Sequence, residues 1–267
     1  MIAVGVTLPT GLGQLALLAG ALVGALVAFG YGLTELRTAY RMHTTAGHTV
    51  ADVANYPGPV EIEGVVSATT KALAAPFTGT DCVVYEYTIE ELRRDKDGDR
   101  TWKTIDSGEK RVPFRVEDDT GSVLVEPAGA TLRLEHERVV RSPVDETPPA
   151  AIGDFLSTLE LGGFGIDLGR DRRYIERRID VGEPVYVFGP ARHDPTASTA
   201  AGEVNAVIGH TQERGVRERL ADRLLGRTLF VLADGSETAA LSRTLKSALV
   251  AGLLGVFVLV VTGVVLT

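Results

Sequence analysis

In a chain of 267 residues carrying a net charge of −8, every charged side chain lies between Glu35 and Lys246. That acidic balance, in which Arg far outnumbers Lys, argues against a broad phosphate-binding surface and so against a general nucleic-acid-binding role. The single cysteine, Cys82, excludes an intrachain disulfide, and five scattered histidines do not make the four-ligand Cys/His set of a structural zinc site.

Residues 2–34 and 247–267 contain no charged side chain. Each run exceeds the roughly 18–20 apolar residues that a helix needs to cross a hydrocarbon core about 30 Å thick, so the chain reads as a two-span membrane protein bound to the lipid bilayer. The first span falls at 13–33. Its flank lacks the basic start and small-residue cleavage site of a secretory signal, which makes it a retained anchor. Gly20, Gly24 and Ala28 recur every four residues on one helix face, the small-xxx-small spacing that lets two membrane helices approach closely. Ser236 can cap a juxtamembrane helix that continues without a break into the second span, over 236–267. Arg37 and Arg41 follow the first span, Arg243 and Lys246 precede the second, and neither outer flank is basic. Basic flanks stay cytoplasmic, which predicts a cell-membrane protein with its middle domain in the cytoplasm and both termini outside.

Between the spans, residues 50–233 read as one β-rich domain with an acidic, Lys-poor surface. Such a surface suits a high-salt cytosol, and a need for molar salt to keep this region folded would test that expectation. V-E-I-E-G-V-V-S-A at 60–68 alternates as a strand, with Gly64 marking a bend or a close approach. Residues 75–81 form a loop, and C-V-V-Y-E-Y-T-I at 82–89 is a β-branched and aromatic strand. A turn of mixed charge surrounds Gly98, and Trp102 starts the return strand. Residues 111–127 spell out a hairpin: Phe114 and Val116, then Val123 and Val125, face one way, and 118–121 make the turn with Gly121 supplying a positive φ. Alternation resumes over 130–140, and the proline-rich 142–149 is a loop. A short helix follows from 151. The glycine-rich 162–169 is a flexible connection, since it lacks the Lys-Ser/Thr ending of a phosphate loop. A strand, a Gly182 turn and a buried strand occupy 174–188, an amphipathic helix 216–225, and a last strand 229–232. The expected architecture is an α+β membrane protein: two helices flanking a small barrel or sandwich with a few helices.

Few residues carry the marks of chemistry. His43 and His48 lie five apart, His136, His193 and His210 are isolated, and no metal is expected. Cys82 opens an apolar strand, where a free cysteine acts as a small buried hydrophobe and not as a nucleophile. No G-x-S-x-G elbow exists, and Asp118 and Asp119 fit a hairpin turn better than a catalytic pair. No catalytic residue and no cofactor is therefore assigned. Two binding readings remain. Tyr85, Tyr87, Trp102 and Phe114 lie on strands with the cadence of an OB-type barrel and would stack bases if a basic groove accompanied them, which the acidic balance opposes. The hairpin bearing Trp102 is the preferred docking point for a protein partner, because aromatics concentrate at interface hot spots.

The strings G-V-V-S-A at 64–68, V-Y-E-Y-T-I-E at 84–90, V-P-F-R-V-E-D at 112–118, V-L-V-E-P at 123–127 and Y-I-E-R-R-I-D-V-G-E-P-V-Y-V-F-G at 174–189 stand in this order between the two spans. The layout resembles the membrane half of the mitochondrial RING-type E3 ubiquitin ligases that carry a "beside a membrane" or GIDE domain. The resemblance implies a β-rich domain held against a bilayer and a link to ubiquitin-type conjugation. In those ligases a zinc-bound RING follows the second span, and its Cys and His ligands are absent from these 267 residues. The expectation is accordingly a non-catalytic docking or sensing module that works through a protein partner or through self-association of its membrane helices. Any ligase role would need a RING partner in trans.

Overall fold

The computed structural model describes residues 11–265 except 57, 70–71, 95–97, 136, 145, 160–169 and 211–228. The expected flexible connection at 162–169, the amphipathic helix at 216–225 and His136 lie outside the described residues. The chain forms two compact units, one built on helices from its two ends and one on its strands.

The helical unit contains α1 (Leu12–Thr44) and nearly all of a helix at the other end, Glu237–Val265, labelled α4. Leu18–Thr44 and Ala240–Gly263 are long and apolar enough to cross a membrane, and 17% and 22% of their most apolar windows are buried, unlike core helices of a soluble fold. α1 continues past residue 33 into the charged segment, and the Thr45 N–H closes it on the Arg41 carbonyl at 2.9 Å. The two helices pack through small side chains. Ala25, Ala28 and Ala39 of α1 are buried, as are Ala240, Ala248 and Ala251 of α4. With Gly32, Glu35 and Met42 of α1 and Thr244 of α4, also buried, they recur every three or four residues, the seam a left-handed helix pair presents. A Cβ on Gly32 would stand 3.5 Å from the Ala248 carbonyl oxygen and 3.7 Å from the Gly252 nitrogen, so the backbones approach closely there. Leu22, Leu26, Leu253 and Phe257 point outward and are exposed.

In the strand unit, five strands close on themselves. β1 (Gly58–Ala68) pairs with β5 (Phe114–Asp118), which pairs with β6 (Gly121–Val125). β6 runs parallel to β11 (Glu203–Ile208), which joins β10 (Pro184–His193), and β10 returns to β1. Val60, Ile62, Phe114, Val116, Val123, Val125 and Val187 belong to the core of this ring and are no more than 1% exposed. β12 (Val231–Asp234) and β7 (Thr131–Arg133) extend the ring from β10. A second, antiparallel sheet sets β3 (Asp81–Arg94) between β4 (Arg100–Arg111) and β9 (Arg172–Asp180), with β2 (Leu73–Ala74) beside the start of β3 and β8 (Glu137–Ser142) beyond β9. The β-rich core is thus a closed barrel joined to an open sheet.

Several sequence expectations change in detail. The alternating 130–140 segment is two strands in different sheets, β7 and β8, because Leu132 follows β12 while Val140 follows β9. The return strand is longer than the stretch from Trp102 suggested. β11, the short helix α2 (Val50–Val53) and α3 (Ala150–Thr158) complete the unit. The hairpin turn at 118–121 is present, and Gly121 has the expected positive φ, 158°. A Cβ there would lie 2.8 Å from the Gly202 carbonyl oxygen, which accepts from the Ser122 N–H at 2.9 Å. Gly64 is the same kind of site: its Cβ would fall 2.5 Å from the Glu117 carbonyl oxygen.

Asp118 does more than turn the chain. Its Oδ1 accepts from the N–H groups of Thr120 at 2.7 Å and Gly121 at 3.1 Å, while Oδ2 accepts from the Val50 N–H at 2.8 Å at the start of α2. Burial pushes its carboxyl up, but the bonds from Thr120, Val50 and Gly121 more than offset this and hold it below the usual range. Because the folded-state pKa is lowered, the stabilisation is complete above the unfolded value and lost as pH falls through the native one. Asp118→Ala should cost about 1–2 kcal/mol near neutrality. That difference should shrink below about pH 4, the ordinary carboxylate value, as read from urea midpoints across pH. Gly64→Ala should cost about 1–3 kcal/mol at any pH, since backbone must shift to admit the methyl group.

Candidate functional site on the outer face of the second sheet

The pleat of β9 sorts its residues into two faces. Arg172, Tyr174, Glu176 and Arg178 are buried on the inner face. There Tyr174, Ile89 and Phe77 pack against Ile152 and Leu156 of α3, with the Phe77 ring edge-on to Tyr174 at 5.4 Å and to Phe155 at 5.7 Å. Glu176 is fully buried and fixes the 75–80 loop. It accepts from the Phe77 N–H, the Thr78 hydroxyl and Arg178 Nη1, each at 2.7 Å. Arg178 Nε donates in turn to Asp180 at 2.6 Å. At the other end of the sheet, burial pushes the Glu91 carboxyl up, and hydrogen bonds from Arg170, Arg93 and Arg172 bring it below its ordinary value. These are structural ion pairs: Glu176, Arg178, Glu91 and Arg172 are matched and shut away from solvent, while Arg93 and Arg170 close the Glu91 site from the surface.

Arg173, Ile175 and Arg177 face outward and meet residues of the same face on the flanking strands. Arg173 stands opposite Glu90 of β3 and Arg141 of β8, Ile175 opposite Thr88 and Val139, and Arg177 opposite Glu86 and Glu137. Arg173 is ion-paired with Glu90, and its guanidinium lies 4.7 Å above the Trp102 ring. Arg177 is ion-paired with Glu137. The result is an open groove of about 730 Å³ floored by Val139 and Ile175 and walled by Glu90, Arg141, Arg173 and Arg177. Arg141 is exposed and makes no hydrogen bond or ion pair among the described residues. A rigid β-sheet thus presents one uncommitted cation beside two apolar side chains, an arrangement suited to binding and holding no nucleophile or proton shuttle.

The predicted residues are spread over both units. Trp102 lies on β4 opposite Leu92, half-buried beneath Arg173 at the groove's margin. Phe114 is in the barrel core and Tyr85 is 9% exposed, so neither offers a face for base stacking. Tyr87 turns inward to Phe155 and donates to Asp106 at 2.9 Å. Ala28 lies in the α1–α4 seam, whereas Gly20 and Gly24 are exposed with open space where a Cβ would sit. His48 packs on Tyr56, and among the described residues no three His, Cys, Asp or Glu side chains gather as a metal site. Arg141 and Arg173 were missed because β9 carries arginines on both faces, which hides the pleat.

A second hollow, on the barrel, is held by Arg115, which donates to the Ala197 carbonyl and pairs with Glu203 at 2.9 Å. Glu203 also accepts from the N–H groups of Thr199 at 2.5 Å and Ala200 at 3.0 Å. This set pins one loop, and among the described residues Arg115 Nη1 is buried without a hydrogen-bond partner.

Cys82 is fully buried, and its thiol is pushed up to about 12 by burial and by the nearby Asp180 and Glu176 carboxylates. In the folded chain it should resist maleimide at pH 8, a pH at which an exposed thiol reacts within minutes, and should label only on denaturation. Glu176→Ala should cost about 3–5 kcal/mol in a denaturant titration, since it strands the Arg178 charge inside the fold.

Residues 85–206 match the family model described as GIDE, E3 ubiquitin ligase. No match appears among curated proteins, and none among solved structures. The matched segment takes in β4, β8 and β9 whole and β3 from Tyr85, together with β5, β6, β10 and most of β11, so the groove lies inside it. Over residues 85–206, the middle domain of this chain is similar to the GIDE family.

Proposed function

We propose that this chain is a membrane-anchored docking module of the GIDE type, in which two helices hold the β-rich domain at a bilayer and the outer face of the second sheet receives a protein partner. The observation that carries the reading is the groove itself. It sits within the family-matched segment, on a sheet fixed from behind by buried ion pairs, and combines Trp102, Arg173 and the uncommitted Arg141 with exposed apolar surface. Aromatic and arginine side chains on a rigid platform are the usual anchors of an interface. The module performs no catalysis itself and takes no cofactor.

A second reading follows from the family description: participation in ubiquitin-type conjugation alongside a RING-bearing partner. Recovery of a zinc protein or a ubiquitin-like modifier with the chain would favour it. In either case the proposed topology, which the basic flanks of the two helices support, has the domain in the cytoplasm with both termini outside.

Three measurements test the proposal. Carbonate at pH 11 should leave the chain in the membrane pellet, and release of the intact polypeptide would remove the anchoring reading. Protease added to right-side-out vesicles should leave the middle domain intact. Trp102→Ala should reduce partner crosslinking at least about tenfold, the loss expected when an interface anchor worth about 2 kcal/mol is truncated. An unchanged set of crosslinked partners would move the docking face elsewhere.

A further inference from the structure

β8 is the outermost strand of the second sheet: it pairs with β9 along one edge, and among the described residues no strand pairs with the other. Such an edge presents a row of backbone donors and acceptors to any strand of matching chemistry. Its sequence is Glu137-Arg138-Val139-Val140-Arg141-Ser142, and Val139 is 44% exposed. About Val139 the groove-side charges are antisymmetric, with Glu137 two residues before and Arg141 two residues after. In an antiparallel pair, side chains directly opposite share a face and interact most strongly.

We propose that β8 pairs with β8 of a second copy of this chain, antiparallel and centred on Val139. Glu137 of each copy then faces Arg141 of the other, and the two Val139 side chains meet on the two-fold axis. An isologous contact of this kind needs a self-complementary surface, which the Glu-x-Val-x-Arg pattern supplies. The charges are available for it. Among the described residues Arg141 has no ion pair within its own chain, and Arg177 engages only Oε2 of Glu137. The neighbouring register, which would pair all six residues, is disfavoured because it sets Arg138 opposite Arg141 at both ends. Residues 137, 139 and 141 all line the groove face, so this pairing runs one sheet through both copies and joins their grooves across the two-fold.

A six-residue strand pair is marginal on its own in water. Confinement of both copies to one membrane raises their effective concentration and offsets the cost of association, and in this respect the inference rests on the anchored-module reading.

Cysteine crosslinking of the full chain in its membrane tests the pairing, because Cys82 is buried and leaves an introduced cysteine as the only accessible thiol. Opposed residues in an antiparallel pair have Cα atoms about 4.5–5.5 Å apart, within disulfide reach. Val139→Cys should therefore form a disulfide dimer under mild oxidation, while Arg138→Cys and Val140→Cys should not. With Val139→Cys as reporter, Arg141→Glu and Glu137→Arg should each reduce the dimer at least about tenfold, by opposing like charges twice. Co-expressing the two charge variants should restore it as a mixed dimer, which also shows that both fold. A chain that stays in the carbonate pellet yet gives no disulfide at 139 overturns the inference and leaves the anchoring reading standing. So does a crosslink that survives both charge variants, or an adduct at 139 with a different protein. Release by carbonate with the 139 disulfide intact would do the reverse.

Discussion

Everything in the strand unit depends on β10 being hydrogen-bonded along both edges. One edge carries β1 from Pro184 to Ala191, and the other carries β12 over Val185 to Phe188 and then β11 from Ala191 to His193. Closing a sheet on itself is the one arrangement that removes edges altogether, and β10 is the strand that closes this one. Tyr186, Val187 and Phe188 are at most 1% exposed as a consequence, although nothing in V-Y-V-F distinguishes an inner from an outer face. A polar substitution at Val187 would strike the barrel core and the closure together, which is why this strand reads as a continuous apolar run.

The second sheet solves a different problem. One face must join the core, and it does so with ion pairs as well as with apolar side chains: Glu176 ties the 75–80 loop to β9, and α3 covers Tyr174 and Ile89. A buried carboxylate with three donors is expensive to desolvate and gains little over an apolar core of the same volume. What it provides here is a tie on the Phe77 loop through both of its oxygens, Oε2 to the Phe77 N–H and Oε1 to the Thr78 hydroxyl. With the back of the sheet fixed, the outer face becomes a stable place to hold charges. That link from burial to function also explains why breaking the Glu176 pair would disturb the groove without touching a groove residue.

The sequence makes some of this legible and conceals the rest, for reasons that differ by element. The hairpin at 114–125 reads correctly because its local chemistry is complete: Asp118 bonds its own turn, and the apolar alternation of Phe114 and Val116 is answered by Val123 and Val125. The two apolar helices are legible from length alone. The positive φ of Gly121 is legible from its turn, whereas the second demand on it, the Gly202 carbonyl, is a contact distant in sequence that no local rule reveals. Residues 130–140 looked like one strand because alternation reports the pleat and not the partner. The groove stayed hidden because in R-R-Y-I-E-R-R-I-D charge falls on both faces: the inner arginines answer Glu91, Glu176 and Asp180, and the outer ones answer Glu90 and Glu137. Telling them apart needs the register with β3.

Barrel closure leaves the second sheet with two open flanks, and they are managed differently. β4 carries Lys103 and Lys110, and a register shift between Ile89 and Glu90 of β3 gives it one residue more than its partner. Lysines and bulges are the ordinary means by which proteins blunt an edge against every incoming strand. β8 has neither. It is short and regular, with Val139 exposed and acidic and basic residues spaced symmetrically about it. Charges of one sign exclude all comers, whereas charges of both signs exclude only strands that present the wrong sequence. The edge left selectively open borders the same groove that holds Arg141 and Arg173, so the choice of partner strand and the composition of the groove are one constraint on β8. A change at Arg141 alters both, and a change at Lys103 alters neither.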